Sequence, residues 1–228
     1  MKPFSIAGIQ MPVLAIVGII PLMKIKLDVL MNVFHWVQMV IFNELCALAS
    51  FKINAVAFPN KIQSDFQELL KTCRKWLIPG SFIQLVKRKT YSTTMIINPQ
   101  REIVVPCSKM YPFYSYKEGM NVKSEFLIWN ILCVARFRVS ICYDMWFPEI
   151  SRTMSINGLD VIINPTFTWN LERDKELAIV KATSDINQCY IIDVNGLEAQ
   201  GIDRSLFCDP DKKGLRQAGP TAKHTYRG

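Results

Sequence analysis

Short apolar runs alternate with longer amphipathic segments along most of the chain, and turn residues separate them. Apolar runs of about four to eight residues that are rich in Val and Ile are typical of buried strands. The runs that fit are FSIAGIQ from residue 4, MVIF from 39, RFRVSIC from 136, LDVIINPT from 159 and CYIIDVNG from 189. Between the second and third runs, YSTTMIINPQREIVV predicts two strands joined at Asn98-Pro99.

Four segments have the periodicity of helices. The first is KIKLDVLMNVFHWVQ from residue 24, and its buried face is predicted to carry Ile25, Val29, Val33 and Val37. The second starts at Ser64, where Ser64 and Gln67 form a capping-box pattern. FPEISRTMSING predicts a third helix that ends at Gly158, and DKELAIVKATSDINQ predicts the fourth.

Strands and helices thus alternate at both ends of the sequence, around a hairpin in the middle. This order predicts a single α/β domain of packed layers over residues 1–228. From Leu215 onward the chain is polar without periodicity, which predicts a loose tail. A simple dinucleotide-binding unit is excluded, because no glycine-rich phosphate loop follows the first strand.

The stretch Pro3–Met23 contains no charged residue and is long enough to cross a bilayer. However, Gln10, Pro12, Gly18 and Pro21 interrupt it, and its first part fits a buried strand. We therefore favour a buried strand over membrane insertion.

The composition is that of a globular chain with a basic surface. Half of the 228 residues are apolar, and the formal net charge is +8. The basic residues are dispersed and their densest cluster is KRK at 87–89, so nucleic acid is not an expected partner. The seven cysteines are scattered without a C-x-x-C pair. This argues against a disulfide framework and a zinc site, and favours a reducing, cytoplasmic location.

The stretch VSICYDMWFPE carries Cys142 at the end of an apolar strand. Cys142 has three readings, as a buried small side chain, a redox thiol or a nucleophile, and a nucleophile needs a base or a positive neighbour. The two histidines are poor partners, because His35 lies in an apolar helical pattern and His224 in the polar tail. Glu44 follows the strand MVIF and Lys109 precedes an aromatic run, so both are candidates for proton transfer.

Three separated motifs make the chain similar to the carbon–nitrogen hydrolase (nitrilase) superfamily. They are VIFNELC around Glu44, SKMYPF around Lys109 and VSICYDMWFPEISR around Cys142. Flanking stretches resemble the family in the same order, namely FSIAGIQM, IPGSF, VIINPTFT, and NQCYIIDVNG followed by GIDRS. The resemblance extends from about Phe4 to Gly219, which is nearly the whole chain.

The resemblance implies a four-layer αββα sandwich of the nitrilase type and hydrolysis of non-peptide C–N bonds. It implies that Cys142 attacks the substrate carbon and forms a thioester, with Glu44 as the general base. Lys109 and the backbone N–H of Tyr143 would stabilise the oxyanion, and the helix after the cysteine would favour negative charge at the sulfur. It implies neither a metal nor an organic cofactor, and it suggests a homodimer or a higher even-numbered oligomer.

The resemblance also implies a set of substrate contacts around these three residues. They are Tyr111, Glu118, Tyr143, Trp146, Thr166 and Phe167, and Glu118 is the candidate for a second glutamate that many relatives carry after the lysine. Relatives that act on amides of dicarboxylic acids often have arginine at the position of Trp146. Because an aromatic side chain cannot pair with a distal carboxylate, a neutral or apolar substrate is expected.

The expected activity is that of an aliphatic amidase, which takes a small amide and water. A nitrilase or an N-carbamoyl amidohydrolase would use the same three residues. Two departures from the family keep a rival open, namely an inactive relative that serves as a binding or scaffold protein. Asn43 stands where relatives usually have proline and is expected to loosen the turn that holds Glu44. Arg138 lies in the strand before Cys142 and must find a carboxylate or reach solvent.

Overall fold

The computed structural model describes residues 3–14, 19–48, 55–57, 61–70, 74–113, 120–122, 128–197, 203–211, 214–219 and 224–227. The strands in these ranges are β1 (Ile6–Ile9), β2 (Met39–Phe42), β3 (Val56–Ala57), β4 (Trp76–Ile78), β5 (Ser81–Val86), β6 (Lys89–Ile97), β7 (Ile103–Ser108), β8 (Trp129–Ile131), β9 (Ala135–Val139), β10 (Val161–Pro165), β11 (Tyr190–Val194), β12 (Leu206–Cys208), β13 (Gly214–Gln217) and β14 (His224–Arg227). The helices are α1 (Ile20–Val33), α2 (Lys61–Leu69), α3 (Pro148–Ile156) and α4 (Asn170–Asn187), and a 3₁₀ turn covers Cys142–Trp146.

The strands form two sheets. The first has the order β14-β1-β2-β4-β6-β5-β3, with β7 paired to β6, and the second has the order β13-β12-β11-β10-β9-β8. Strands β1, β2 and β4 are parallel neighbours in the first sheet, as are β9, β10 and β11 in the second. Parallel neighbours need crossover connections, and in the second sheet α3 and α4 provide them.

The two sheets pack face to face and a pair of helices covers each outer face. Successive residues of a strand point to opposite sides, so in β2 Met39 and Ile41 lie between the sheets. Val40 and Phe42 point the other way, into a cluster with α1 and α2. A third cluster joins α3 and α4 to the second sheet. The layers are therefore helix, sheet, sheet and helix, which confirms the predicted αββα sandwich.

Helix α1 buries a different face from the predicted one. Its buried residues are Met23, Leu27 and Leu30. The predicted stripe is exposed instead, at 57% for Ile25, 42% for Val29 and 54% for Val33. Both stripes are apolar, so periodicity alone could not distinguish them. The helix also begins at Ile20, before the predicted start, which adds Met23 to the buried stripe, whereas the predicted member Val37 lies beyond the helix end.

The predicted capping box is wrong, because α2 begins at Lys61 and Ser64 lies inside the helix. A serine and a glutamine at this spacing also occur within helices, where they cap nothing. Helix α4 likewise begins at Asn170, ahead of its predicted start. The predicted end of α3 is confirmed, since Gly158 follows the helix with a φ of +80°.

The hairpin at Asn98-Pro99 is confirmed. Strands β6 and β7 pair in antiparallel register on either side of it. The side-chain oxygen of Asn98 accepts hydrogen bonds from the backbone N–H groups of Gln100 at 3.0 Å and Glu102 at 2.8 Å. This side-chain acceptor explains why the sequence signal for a turn was strong here.

The segment after Leu215 is not a loose tail. Strand β13 pairs with β12, and β14 pairs antiparallel with β1 at the edge of the first sheet. The prediction was wrong because it depended on apolar periodicity, whereas edge strands gain order from backbone hydrogen bonds and are often polar.

Within the described ranges, no helix combines the length and apolar character needed to cross a membrane. The described part of Pro3–Met23 forms β1 and the beginning of α1.

Candidate active site

Cys142 lies at a sharp corner between β9 and the 3₁₀ turn. Its φ is +50°, in the left-handed region that residues with a side chain rarely adopt. Strain of this kind costs on the order of 1–3 kcal/mol and clusters at functional sites. Helix α3 begins at Pro148 with Phe147 as its N-cap, as the pattern FPEISRTMSING predicted, and the 3₁₀ turn lies between the cysteine and this helix.

Asp144 holds this corner in place. One of its carboxylate oxygens accepts the backbone N–H groups of Met110 at 3.0 Å and Tyr111 at 2.7 Å, and the other accepts that of Ile141 at 3.1 Å. Burial raises the pKa of Asp144 to about 6, while the charge of Lys109 and these three N–H groups oppose the rise. Asp144 therefore ties the corner to the segment that carries the lysine. The sequence analysis assigned it no role, although it lies in the ICYD motif.

Glu44 and Lys109 form a buried ion pair. Lys109 Nζ donates to Glu44 Oε1 at 2.9 Å, and both side chains are 6% exposed. Burial lowers the pKa of Lys109, but its electrostatic interactions with Cys142, Glu44 and Asp144 and its hydrogen bond to Glu44 outweigh burial, so the pKa lies above its ordinary value. Lys109 is therefore a permanent positive charge at neutral pH.

Asn43 fixes the turn that carries Glu44, contrary to the expectation that it would loosen it. Its side-chain oxygen accepts the N–H of Met11 at 2.7 Å, and its side-chain amide donates to the carbonyl of Glu44 at 3.1 Å. Gly80 packs so tightly on this turn that a Cβ would lie 2.0 Å from the Asn43 carbonyl oxygen. Two buried hydrogen bonds thus take the place of the rigid proline ring found in relatives.

Arg138 is buried behind the corner, with 1% of its surface exposed. Its Nε donates to the carbonyl of Val139 at 3.3 Å, and its Nη2 lies 3.4 Å from the sulfur of Met110. Burial lowers the pKa of Arg138, whereas the charges of Cys107 and Asp144 oppose this. Asp144 is thus the carboxylate that interacts electrostatically with Arg138 and favours its charged form. Arg138 itself is not one of the residues that line the cavity.

A chain of hydroxyl groups leads from the sulfur of Cys142 to a buried carboxylate. The Cys142 Sγ lies 4.0 Å from Thr168 Oγ1, which lies 2.9 Å from Thr166 Oγ1, which lies 2.9 Å from Glu176 Oε1. A carboxylate only accepts, so Thr166 donates to Glu176, and each hydroxyl has a single hydrogen. Thr168 therefore donates to Thr166, and the thiol donates to Thr168.

This series of hydrogen bonds stabilises the neutral thiol of Cys142 before a substrate binds. Burial raises the pKa of Cys142 to about 12, and the charges of Glu44 and Glu176 add to the rise. Lys109 and the backbone N–H of Phe167 oppose it. A neutral thiol is a poor nucleophile, so attack requires a base that removes its proton.

Replacing Thr168 with valine is expected to ease deprotonation of Cys142, because valine keeps the shape and removes the acceptor of the thiol hydrogen. A weak S–H hydrogen bond of about 0.5 kcal/mol predicts roughly twofold faster alkylation by iodoacetamide. The rate is measured between pH 7 and 9 with the other cysteines mapped separately. Thr168→Ser retains the hydroxyl, so its alkylation rate should match that of the original protein. Slower alkylation in Thr168→Val would contradict the inference that the thiol donates its hydrogen to Thr168.

Glu176 belongs to a fully buried charge cluster. Arg173 Nη1 donates to Glu176 Oε2 at 2.6 Å, and Arg173 Nη2 contacts a carboxylate oxygen of Asp193. Asn164 donates to the other oxygen of Asp193 at 2.8 Å. The cluster joins α4 to β10 and β11 behind the cavity. The sequence analysis missed it, although Arg173 and Glu176 are spaced like neighbours on a helix.

These groups surround a cavity of about 60 Å³. Its lining residues are Glu44, Leu45, Ile83, Ser92, Lys109, Pro112, Phe113, Met120, Cys142, Tyr143, Trp146, Phe167, Thr168, Trp169 and Glu172. The structure thus brings the three candidate catalytic residues together on one small cavity.

Of the six predicted substrate contacts, three line the cavity, two do not, and one lies outside the described residues. Tyr143, Trp146 and Phe167 line the cavity. Thr166 does not, because it is fully buried behind Thr168. Tyr111 also lies outside the lining, and its ring stacks on Phe147 at a centroid distance of 3.7 Å. Glu118 lies outside the described residues.

Ser92 is a lining residue that the sequence analysis did not identify. It is 4% exposed, and among the described residues its hydroxyl has no hydrogen-bond partner. A buried hydroxyl without a partner is costly unless a ligand or water satisfies it. In sequence it is one of several polar residues in the first part of β6, KTYSTT, and such a run carries no specific signal.

Within the described ranges, no group of three His, Cys, Asp or Glu side chains could hold a metal ion. The cavity itself brings together a thiol, an ion-paired carboxylate and a lysine ammonium group.

The fold is thus an αββα sandwich whose cavity holds a strained cysteine corner and a buried Lys–Glu pair. Residues 36–226 match the carbon-nitrogen hydrolase family, so the chain belongs to this family. The resemblance inferred from the three motifs is therefore confirmed.

Individual relatives are distant. The chain is 28% identical over 120 residues to the deaminated glutathione amidase of Synechocystis sp., a match over 46% of this chain and 42% of that protein. It is 23% identical over 133 residues to omega-amidase NIT2 of Pongo abelii, over 54% of this chain and 48% of that protein. The matched part of the chain thus spans about half the length of these curated relatives.

Solved structures show the same fold. Nit3 of Saccharomyces cerevisiae, a member of branch 10 of the nitrilase superfamily, has a TM-score of 0.89 at 17% identity, over 98% of this chain and 89% of that one. The chain therefore has the αββα fold of the nitrilase superfamily.

Proposed function

We propose that this chain is a thiol-dependent hydrolase that cleaves the C–N bond of a small amide through a thioester on Cys142. The observation that supports this most is the convergence of Cys142, Lys109 and Glu44 on one small cavity. Burying an ammonium and a carboxylate costs stability, and the strained corner adds to that cost. Such combinations are typical of active sites.

In the first half of the reaction, Glu44 takes the proton of the Cys142 thiol and the sulfur attacks the amide carbonyl carbon. The negative charge that develops on the oxygen is stabilised by Lys109 and by the backbone N–H of Tyr143. The C–N bond then breaks, Glu44 returns the proton to the leaving nitrogen, and ammonia departs. The acyl group remains on the sulfur as a thioester.

In the second half, Glu44 takes a proton from water, and the resulting hydroxide attacks the thioester carbon. The C–S bond breaks, the carboxylic acid leaves, and the proton held by Glu44 returns to the sulfur. Because the pKa of Cys142 is raised, the thiol needs Glu44 as a base when it attacks and as a proton donor when the C–S bond breaks.

An inactive scaffold is the rival from another class. In a relative that has lost its activity, we would expect Glu44 and Lys109 to point away from the cysteine. Here both line the same cavity as Cys142. The arrangement of these three side chains therefore favours the enzyme.

The amide is proposed on the names of the two relatives above, a deaminated glutathione amidase and an omega-amidase. An N-carbamoyl compound is the second candidate, because the N-carbamoylputrescine amidase of Solanum lycopersicum also matches, at 28% identity over 106 residues. We also propose an even-numbered oligomer, most simply a homodimer that packs through α3 and α4. On these helices Ile156 is 72%, Leu171 90% and Ile186 68% exposed. A cytoplasmic location fits the six described cysteines, which are all free.

The test is release of ammonia from a panel of short amides, nitriles and N-carbamoyl compounds, measured with the full chain and with Cys142→Ala. We expect release from at least one amide and none with the variant. No release from any member of the panel would overturn the proposed function.

A further inference from the structure

Among the described residues that line the cavity, there is one more carboxylate than there are cations to balance it. Its charged lining residues are Glu44, Lys109 and Glu172, and the first two neutralise each other at 2.9 Å. Among the described residues, no lysine, arginine or histidine lies within ion-pair distance of Glu172. With the thiol neutral, the described lining therefore has a net charge of −1.

Glu172 is one of the more exposed residues of the cavity lining. The reacting groups are almost enclosed, since the Lys109 and Glu44 side chains are 6% exposed and Cys142 is 8% exposed. Trp169, which lines the same cavity, is 52% exposed. Glu172 follows Trp169 by one turn at the start of α4 and is partly exposed. A substrate with its amide at Cys142 would therefore extend its other end toward Glu172.

The wall between these two ends is aromatic. Phe113 lies edge-on to Tyr143 at a centroid distance of 5.2 Å, and Tyr143 lies 5.7 Å from Trp146. Phe167 and Trp169 complete the aromatic part of the lining. The faces of such rings attract cations, and tryptophan does so most strongly.

We propose that the substrate is a small amide with a cationic group, such as a primary ammonium, at the end remote from the scissile bond. Glu172 pairs with the cation, and the rings of Trp146 and Trp169 enclose it. The identity of the scissile bond rests on the proposed function. A neutral end would leave the Glu172 carboxylate desolvated without a partner, and an anionic end would be repelled.

From Trp146 in place of arginine, the sequence led us to expect a neutral or apolar substrate. Glu172 in the lining of the cavity favours a cationic end instead. A glutamate in the first turn of a helix is also favoured by the helix dipole, so the test must separate that role from substrate recognition.

The experiment measures binding to the full chain carrying Cys142→Ala, by calorimetry in low salt. The probes are 4-aminobutanamide, pentanamide and succinamate, which have similar length and a cationic, an uncharged and an anionic end. We expect 4-aminobutanamide to bind roughly tenfold more tightly than pentanamide, from an ion pair and a cation–π contact combined. Succinamate should bind most weakly, and added salt should reduce the preference.

Two charge-neutralising variants provide the control. Glu172→Gln should remove the preference for the cation. Glu149→Gln, in the exposed first turn of α3 and outside the cavity lining, should retain it. Equal affinities for 4-aminobutanamide and pentanamide, no detectable binding of the cationic amide, or a preference that survives in Glu172→Gln would each overturn the inference.

Because the assay measures binding, its outcome is separate from that of the proposed function. A cation preference that depends on Glu172, with no amide hydrolysed, would reject the hydrolase and keep the site. Hydrolysis of pentanamide and 4-aminobutanamide at equal rates, with equal affinities, would reject the cation site and keep the hydrolase.

Discussion

Replacing Lys109 with methionine is expected to abolish amide hydrolysis and to destabilise the fold. Removing one stabiliser of an oxyanion lowers kcat by about 100- to 1000-fold. The same change leaves the Glu44 carboxylate buried without its partner, which costs about 3–5 kcal/mol of unfolding free energy. Ammonia release and urea unfolding at pH 7 measure the two effects on the same preparation.

A double variant tests the cause of the stability loss. Glu44→Gln combined with Lys109→Met removes both charges, so most of the lost stability should return, while hydrolysis stays absent because the general base is also gone. A double variant as unstable as Lys109→Met would contradict the unpaired Glu44 carboxylate as the cause.

Replacing Arg173 with methionine is expected to have the largest effect on stability, about 3–5 kcal/mol. Arg173 is completely buried and pairs with Glu176 and Asp193, so its loss leaves two buried carboxylates without a cation. Arg204→Met is the matched control, because Arg204 pairs with Asp174, whose side chain is 82% exposed. An exposed pair of this kind contributes about 0–1 kcal/mol. Urea unfolding of both variants gives the comparison.

The loss in Arg173→Met should depend on pH. Burial raises the pKa of Asp193 to about 6 even though Arg173 opposes the rise, so without the arginine the pKa of Asp193 must increase further. A carboxyl whose pKa is raised by folding favours the folded state at low pH and loses that advantage as pH rises through the raised pKa. The variant should therefore be less destabilised at pH 5 than at pH 8. Equal losses at both pH values, or equal losses in Arg173→Met and Arg204→Met, would contradict the role given to the cluster.

Much of the fold could be predicted because the buried strands are short apolar runs bounded by turn residues. The hairpin at Asn98-Pro99 and the end of α3 at Gly158 carry local chemistry that is independent of the rest of the chain. The buried face of α1 could not be predicted, since two apolar stripes compete and only packing against the sheet distinguishes them. The polar strand β14 was missed because its order comes from pairing with β1, far away in sequence.

The residues of the candidate site likewise divide into those that could be predicted from the sequence and those that could not. Glu44, Lys109 and Cys142 could be selected because each lies within a motif of its own. The other contributors acquire a role only through neighbours that are distant in sequence, as Asp144 does through the N–H groups of Met110 and Tyr111. Asn43 was misjudged for the same reason, because the partner of its side chain is the N–H of Met11 in the first strand segment.

The most direct test of the central claim is the mass of the intact protein after brief mixing with a short amide and an acid quench. We predict a mass increase in which one acyl group replaces one hydrogen, located on the peptide that carries Cys142. Ammonia should be released in equal amount during the first turnover, and Cys142→Ala should show neither change. An adduct on another residue, or ammonia release by Cys142→Ala at the rate of the original chain, would contradict the claim.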